Sequence, residues 1–142
     1  METLYIASDH AAFEAKSFLI KALSSEFEMV DLGTNGSESV HYPDYGKKLA
    51  SAVLENKGRG LALCGSGIGI SIQVNRFKGI RGALCRSIED ARMSRLHNDS
   101  NVLCLGARFN SNDDLLIITQ TWLSTEFEGG RHQTRIDLLD AE

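Results

Sequence analysis

The stretch Leu61-Ala62-Leu63-Cys64-Gly65-Ser66-Gly67-Ile68-Gly69-Ile70-Ser71-Ile72 restricts the fold more than any other part of the chain. An apolar run ends at a cysteine, a turn carrying glycine at 65, 67 and 69 follows, and a second apolar run continues from it. The pattern reads as strand, tight loop, helix. Glycines let the backbone turn sharply and come close to a ligand, and the first N–H groups of the next helix have no intrahelical partner and favour negative charge. A thiol at that point is the expected reactive atom.

The rest of the chain repeats the alternation. Leu4 to Ala7 reads as a strand ending in Ser8-Asp9-His10, with a helix from about Ala11 to Leu23. Glu28 to Leu32 is a second strand, and a helix from about Asp44 to Asn56 follows the only proline, Pro43. Ile80 to Cys85 and Val102 to Leu105 complete the strands. Ser87, with Asp90 three residues on, is an N-cap for a helix that stops near His97-Asn98-Asp99. Leu115, Ile118, Thr119 and Trp122 mark another helix, and a last short one takes in Arg131 to Leu139. Five apolar strands alternating with helices predict an α/β fold: one doubly wound, Rossmann-like parallel sheet with helices on both faces.

A length of 142 residues fits a single domain, 1–142, able to bury its own core without disulfides or metals. No apolar run approaches the ~20 residues of a membrane span, and the start has no signal-peptide pattern, so a cytoplasmic protein with no membrane partner is expected. A formal charge of −4 offers no general attraction to nucleic acid. Three cysteines without a C-x-x-C pair argue for free thiols rather than a disulfide framework or a zinc site.

In open α/β sheets, ligands bind beyond the carboxyl ends of the strands, which brings Ser8-Asp9-His10 together with Cys64-Gly65-Ser66. Spacing excludes several chemistries there. A dinucleotide fingerprint is G-x-G-x-x-G after the first strand, whereas this loop is G-x-G-x-G after the third; a Walker loop needs a Gly-Lys-Ser/Thr ending. What remains is a cysteine whose thiolate is favoured by helix-end N–H groups, beside a hydroxyl and backbone donors for an oxyanion. That set suits proton abstraction next to a carbonyl, but residue physics leaves open a second reading, in which Cys64 is a small buried residue ending a core strand. For Cys85 and Cys104, embedded in apolar strands, the core reading is favoured.

Ser8-Asp9-His10-Ala11, Asp31-Leu32-Gly33-Thr34, Tyr42-Pro43-Asp44-Tyr45, Cys64 to Ser71, Asn75-Arg76-Phe77, Arg92 to Asp99 and Glu128-Gly129-Gly130-Arg131-His132 closely resemble the type B ribose-5-phosphate isomerases over nearly the whole chain. The resemblance implies an aldose–ketose isomerase that needs no cofactor or metal and acts on a phosphorylated sugar. Cys64 would be the base moving a proton between C1 and C2 through an enediolate. N–H groups in the loop of Gly65, Gly67, Ile68 and Gly69 would hold that anion, and Ser66 would help to move protons between the two oxygens. Relatives lacking the cysteine use a glutamate on the next helix; Ile70-Ser71-Ile72 stand there in this chain, which supports the thiol branch. The resemblance further implies that Asp9 and His97 open the furanose ring, that Tyr42 and Asn98 border the sugar, and that His10, Arg108, Arg131 and Arg135 hold the phosphate.

Physical reasoning adds two points. Arg131 and Arg135, four apart, share one helix face and together could grip a dianion, although without the resemblance a solvated surface pair would be the ordinary reading. His97 ends a helix that runs antiparallel to the strands, so it falls at the sheet edge opposite its own Cys64. A site shared between subunits of a homo-oligomer is therefore expected, with the tail from about 129 to 142 lying across a neighbour; the family's dimeric or tetrameric habit agrees. The rival readings are an allose-6-phosphate or galactose-6-phosphate isomerase of the same superfamily, and a non-catalytic sugar-phosphate-binding subunit.

Overall fold

The computed structural model describes residues 1–141. The chain runs β1 (Thr3–Ser8), a 3-10 turn (His10–Ala12), α1 (Phe13–Leu23), β2 (Glu28–Asp31), α2 (Tyr42–Asn56), β3 (Arg59–Cys64), α3 (Ile68–Val74), β4 (Gly82–Leu84), α4 (Ile88–Asn98), β5 (Val102–Gly106), α5 (Asn112–Ser124) and α6 (Arg131–Asp137). The sheet has five strands in the order β2-β1-β3-β5-β4, and every pairing is parallel. This is the doubly wound α/β architecture that the alternation predicts.

Strand side chains alternate between two buried layers because successive residues point to opposite faces. Leu4, Ile6, Leu61, Leu63, Leu103 and Leu105 pack with Ala15 and Leu19 of α1, Ala91 of α4, and Leu115, Ile118 and Trp122 of α5. Ala7, Ala62, Cys64, Val102 and Cys104 face the other way, onto Leu49, Ala50 and Val53 of α2 and Ile70 and Val74 of α3. Leaving β1 the chain steps to one side of the sheet, and leaving β3 it steps to the other. The β1/β3 boundary is thus the switch point at which such sheets open a crevice. Ser8 pairs with Leu63, so Asp9 and Cys64 emerge together at that crevice.

Local chemistry explains where the boundaries differ from expectation. Asp9 accepts the Ala11 N–H through Oδ1 at 3.1 Å and caps a tight 3-10 turn, which delays α1 to Phe13. β4 is shorter than the apolar run 80–85 because the side chain of Asn101 takes the Arg81 N–H at 2.7 Å before the ladder begins. Ser87 caps α4 as read, accepting the Asp90 N–H at 3.1 Å. At its other end α4 stops in left-handed Asp99 (φ 45°), and Arg95 donates to Asp99 Oδ1 at 2.8 Å and to the Ser100 carbonyl at 2.7 Å. Ser100 Oγ accepts from buried Trp122 Nε1 at 2.7 Å, so the end of α4 is tied to the amino end of β5 and to α5.

Candidate active site

Cys64 closes β3 with 5% of its surface exposed, and its Sγ accepts the N–H of Gly67 at 3.1 Å. That bond needs the chain to fold back on itself within three residues. Gly67 does so at φ +79°, where a Cβ would also lie 2.6 Å from Leu84 Cδ1 and 2.9 Å from the Leu105 carbonyl carbon. The loop therefore rests directly on β5. The carbonyl of the same Ser66–Gly67 peptide accepts from Arg86 Nη2 at 3.3 Å, and the Arg86 guanidinium lies over the Phe109 ring at 3.9 Å. One peptide unit thus takes a cation on its oxygen and offers its hydrogen to sulfur. Ser66 Oγ accepts the Ile68 N–H at 3.1 Å, which leaves its own hydroxyl hydrogen to donate elsewhere. Of the loop N–H groups read as oxyanion donors, those of Gly67 and Ile68 have these partners within the loop.

Around the loop, Arg108 donates its backbone N–H to the Gly65 carbonyl at 2.9 Å, and its guanidinium covers Gly65 so closely that a Cβ there would be 3.0 Å from Cζ. The Tyr42 ring, at the head of α2, packs against Gly69 in the same way, 2.6 Å from where a Cβ would stand. Asp9 is 8% exposed, and its backbone N–H is held by the Leu63 carbonyl at 3.2 Å. His10 Nδ1 accepts the Val40 N–H at 3.1 Å, so the neutral ring carries its hydrogen on Nε2 as a donor. Asp9, His10, Tyr42, Cys64, Ser66 and Arg108 are in this way gathered at the carboxyl end of the sheet.

His97, Asn98, Arg131 and Arg135 are not there. His97 and Asn98 end α4 just before β5 begins at Val102, whereas Cys64 pairs with Gly106 at the far end of β5. The strand alone separates the two groups by about 13 Å. α6 packs on α4 within the same chain, with Arg131 and Arg135 both exposed. α6 is therefore folded against the α4 of its own chain, and the Gly79 N–H donates to Asp140 Oδ2 at 2.8 Å.

At this second end the His97 and His132 rings stack, with centroids 4.4 Å apart and planes 17° from parallel. Glu128 reaches toward both, its carboxylate oxygens 4.0 Å from each Nε2. His132 is 5% exposed, and its Nε2 has no hydrogen-bond partner among the described residues. Burial, then the neighbouring His97 and Arg131, hold the His132 imidazole below the ordinary histidine range, against the pull of Glu128. Histidine, glutamate and histidine within 4.8 Å suggest a cation site that sequence spacing did not indicate. The ring geometry argues against it, because an ion bound to imidazole lies in the ring plane and two stacked, near-parallel planes share no such point.

Sequence reasoning missed Arg86, Glu128 and His132. Arg86 follows a strand with nothing in its surroundings to mark it. Glu128 and His132 lie in the Glu128-Gly129-Gly130-Arg131-His132 run, but only the fold shows that they face His97.

A profile of the family described as Ribose/Galactose Isomerase matches residues 4–139. The chain is 38% identical over 143 residues to ribose-5-phosphate isomerase B of Escherichia coli (strain K12), covering 99% of this chain and 96% of that protein. Among solved structures it is similar to a ribose 5-phosphate isomerase of Thermotoga maritima, with a TM-score of 0.97 and 45% identity over 99% of both chains. It is also similar to ribose-5-phosphate isomerase B of Mycoplasma genitalium with bound ribulose-5-phosphate, with a TM-score of 0.92 and 37% identity, covering 95% of this chain and 91% of that one.

Proposed function

The chain belongs to the ribose/galactose isomerase family and is a sugar-phosphate isomerase, and we propose that it interconverts ribose 5-phosphate and ribulose 5-phosphate with Cys64 as the base. The observation that carries this reading is the hydrogen bond from Gly67 N–H to Cys64 Sγ, in a loop whose peptide oxygen is held by a guanidinium. A sulfur that accepts a backbone hydrogen bond at the end of β3, beside Asp9 and Ser66, is placed to take a proton from a sugar bound there.

In the proposed reaction Asp9 and a neighbouring subunit's His97 open the furanose, one accepting the proton of the anomeric hydroxyl and the other supplying one to the ring oxygen. The Cys64 thiolate then removes the proton from C2 of the open aldose, and charge moves onto O1 to give the enediolate. Ser66, whose hydrogen is free to donate, passes a proton between O1 and O2. The thiol returns its proton to C1, giving the ketose. His10 through Nε2–H, with Arg108, Arg131 and Arg135, holds the phosphate, and Tyr42 and Asn98 border the sugar. In this scheme the arginines of α6 come from the subunit that supplies His97, so the working unit is a homo-oligomer with a shared site. The mechanism asks for no cofactor or metal.

The test is an isomerase assay of wild type and Cys64→Ala on ribose 5-phosphate, allose 6-phosphate and galactose 6-phosphate, with and without a chelator. Highest turnover on the pentose is expected, with a loss of about 10²–10⁴-fold or more in kcat for Cys64→Ala, little change in KM, and no effect of the chelator. Near-normal turnover by Cys64→Ala would remove the base assignment. A preference for a hexose phosphate would move the chain to another member of the superfamily.

A further inference from the structure

The buried Nε2 of His132 calls for a reason. An unpartnered polar atom inside a protein is unfavourable, and a phenylalanine would fill the same flat space without leaving one. The ring lies under His97 at 4.4 Å, and the group it faces, Glu128, stands equally far from the Nε2 of His97. Glu128 is itself fixed, because its backbone N–H donates to the Leu96 carbonyl at 3.1 Å, next to His97 in α4. Its side chain is 54% exposed and that of His97 34%, so the pair opens to the surface while His132 closes it from beneath.

We propose that Glu128 and His132 are positioning residues for His97: the His132 ring fixes the plane of the His97 imidazole, and the Glu128 carboxylate fixes its tautomer. The inference rests on the ring-opening role proposed for His97. A carboxylate facing Nε2 favours the tautomer with hydrogen on that nitrogen, which leaves Nδ1 as the proton acceptor. At 4.0 Å the contact is electrostatic, and a small turn of the Glu128 side chain makes it a hydrogen bond. The charged groups facing the stacked pair are Glu128 from the α5–α6 connection and Arg131 and Arg135 from α6. His132, kept neutral by burial among them, adds no second cation beneath His97 when that ring takes a proton.

The experiment uses the full-length wild type, Glu128→Gln and His132→Phe. Nitrogen-15 NMR of the imidazoles reads the His97 tautomer directly, without activity. Turnover is measured from ribose 5-phosphate, which enters as a closed ring, and solvent exchange of the C1 proton of ribulose 5-phosphate, which needs the base but no ring step, is followed by proton NMR in deuterated buffer. Wild type is expected to show one predominant His97 tautomer and Glu128→Gln a mixture of two. In both variants kcat should fall about tenfold on ribose 5-phosphate, while C1 exchange of ribulose 5-phosphate should change less than twofold. The exposed Glu128 side chain makes Glu128→Gln the variant that keeps the fold if His132→Phe does not. An unchanged tautomer in Glu128→Gln, or an equal loss of turnover and of C1 exchange, would overturn the inference. A wild type without activity on either sugar would instead overturn the proposed reaction, and the NMR arm would still judge Glu128.

Discussion

Cys64, Cys85 and Cys104 are all free and buried, yet their surroundings separate them. Burial pushes the Cys85 thiol up to about 11 and drives that of Cys104 higher still, and neither has a backbone N–H on its sulfur among the bonds described. Iodoacetamide at pH 8 should therefore alkylate Cys64 first, at one equivalent per chain, and sugar phosphate should protect it. Mass spectrometry of digests checks this, and equal labelling of Cys85 or Cys104 would contradict it. Gly67→Ala should abolish turnover, since the new Cβ meets both a positive φ and the backbone of Leu105. His132 gives a pH prediction. Its imidazole titrates lower in the folded chain than in the unfolded one, so the unfolded state binds more protons in between. Stability should be full above the unfolded value of about 6.5 and fall as pH drops from there through the folded value. Urea midpoints measured from pH 8 to pH 5 should show that fall in wild type and less of it in His132→Phe.

The crevice is held by its supporting elements as much as by its own residues. Lys16 of α1 is buried with 1% of its side chain exposed and bonds both oxygens of Asp31, at 2.8 and 2.7 Å. Asp31 Oδ1 also accepts the Gly33 N–H at 2.9 Å, while Ser8 N–H donates to the Gly33 carbonyl and Thr34 N–H to that of Ser8, each at 2.8 Å. The strand ends next to Asp9 are thereby fixed from α1. The two partners should respond unequally to removal. Asp31→Ala leaves a buried ammonium unpaired and should cost on the order of 3 kcal/mol, whereas Lys16→Met leaves a carboxylate that is 35% exposed and still bonded, and should cost roughly 1 kcal/mol. Urea denaturation of both variants measures the difference. At this scale the sequence was informative. The apolar periods of Leu61 to Cys64 and Val102 to Leu105 marked the strands, and Ser87 marked the start of α4, because period and capping are local properties. The 3-10 turn at His10 and the early end of β4 were not legible, since each depends on one side chain, Asp9 or Asn101, taking a backbone hydrogen bond from an alternative structure.

Across the whole molecule, the residues assigned to one reaction stand at two ends of one chain. Chain direction alone made that separation legible, because a helix returning from β4 to β5 must end at the amino side of the sheet. What the sequence could not show was the packing at that end, where α6 folds onto α4 and pairs His132 with His97. If the site is shared as proposed, Cys64→Ala and His97→Asn should complement each other. In a dimer carrying one of each, one site keeps an intact thiol opposite an intact imidazole. Random exchange of equal amounts should thus restore about a quarter of wild-type activity, assayed before and after mixing. Activity no greater than the mean of the two variants would argue that each chain works alone. A site shared in this way would tie turnover to concentration. Once dilution separated the chains, each would hold only half of the groups, so on this proposal specific activity should decline as association is lost rather than stay constant. A shared site would also make every chain a stakeholder in two reaction centres, so that one damaged copy in a mixed population would weaken its neighbour's chemistry as well as its own.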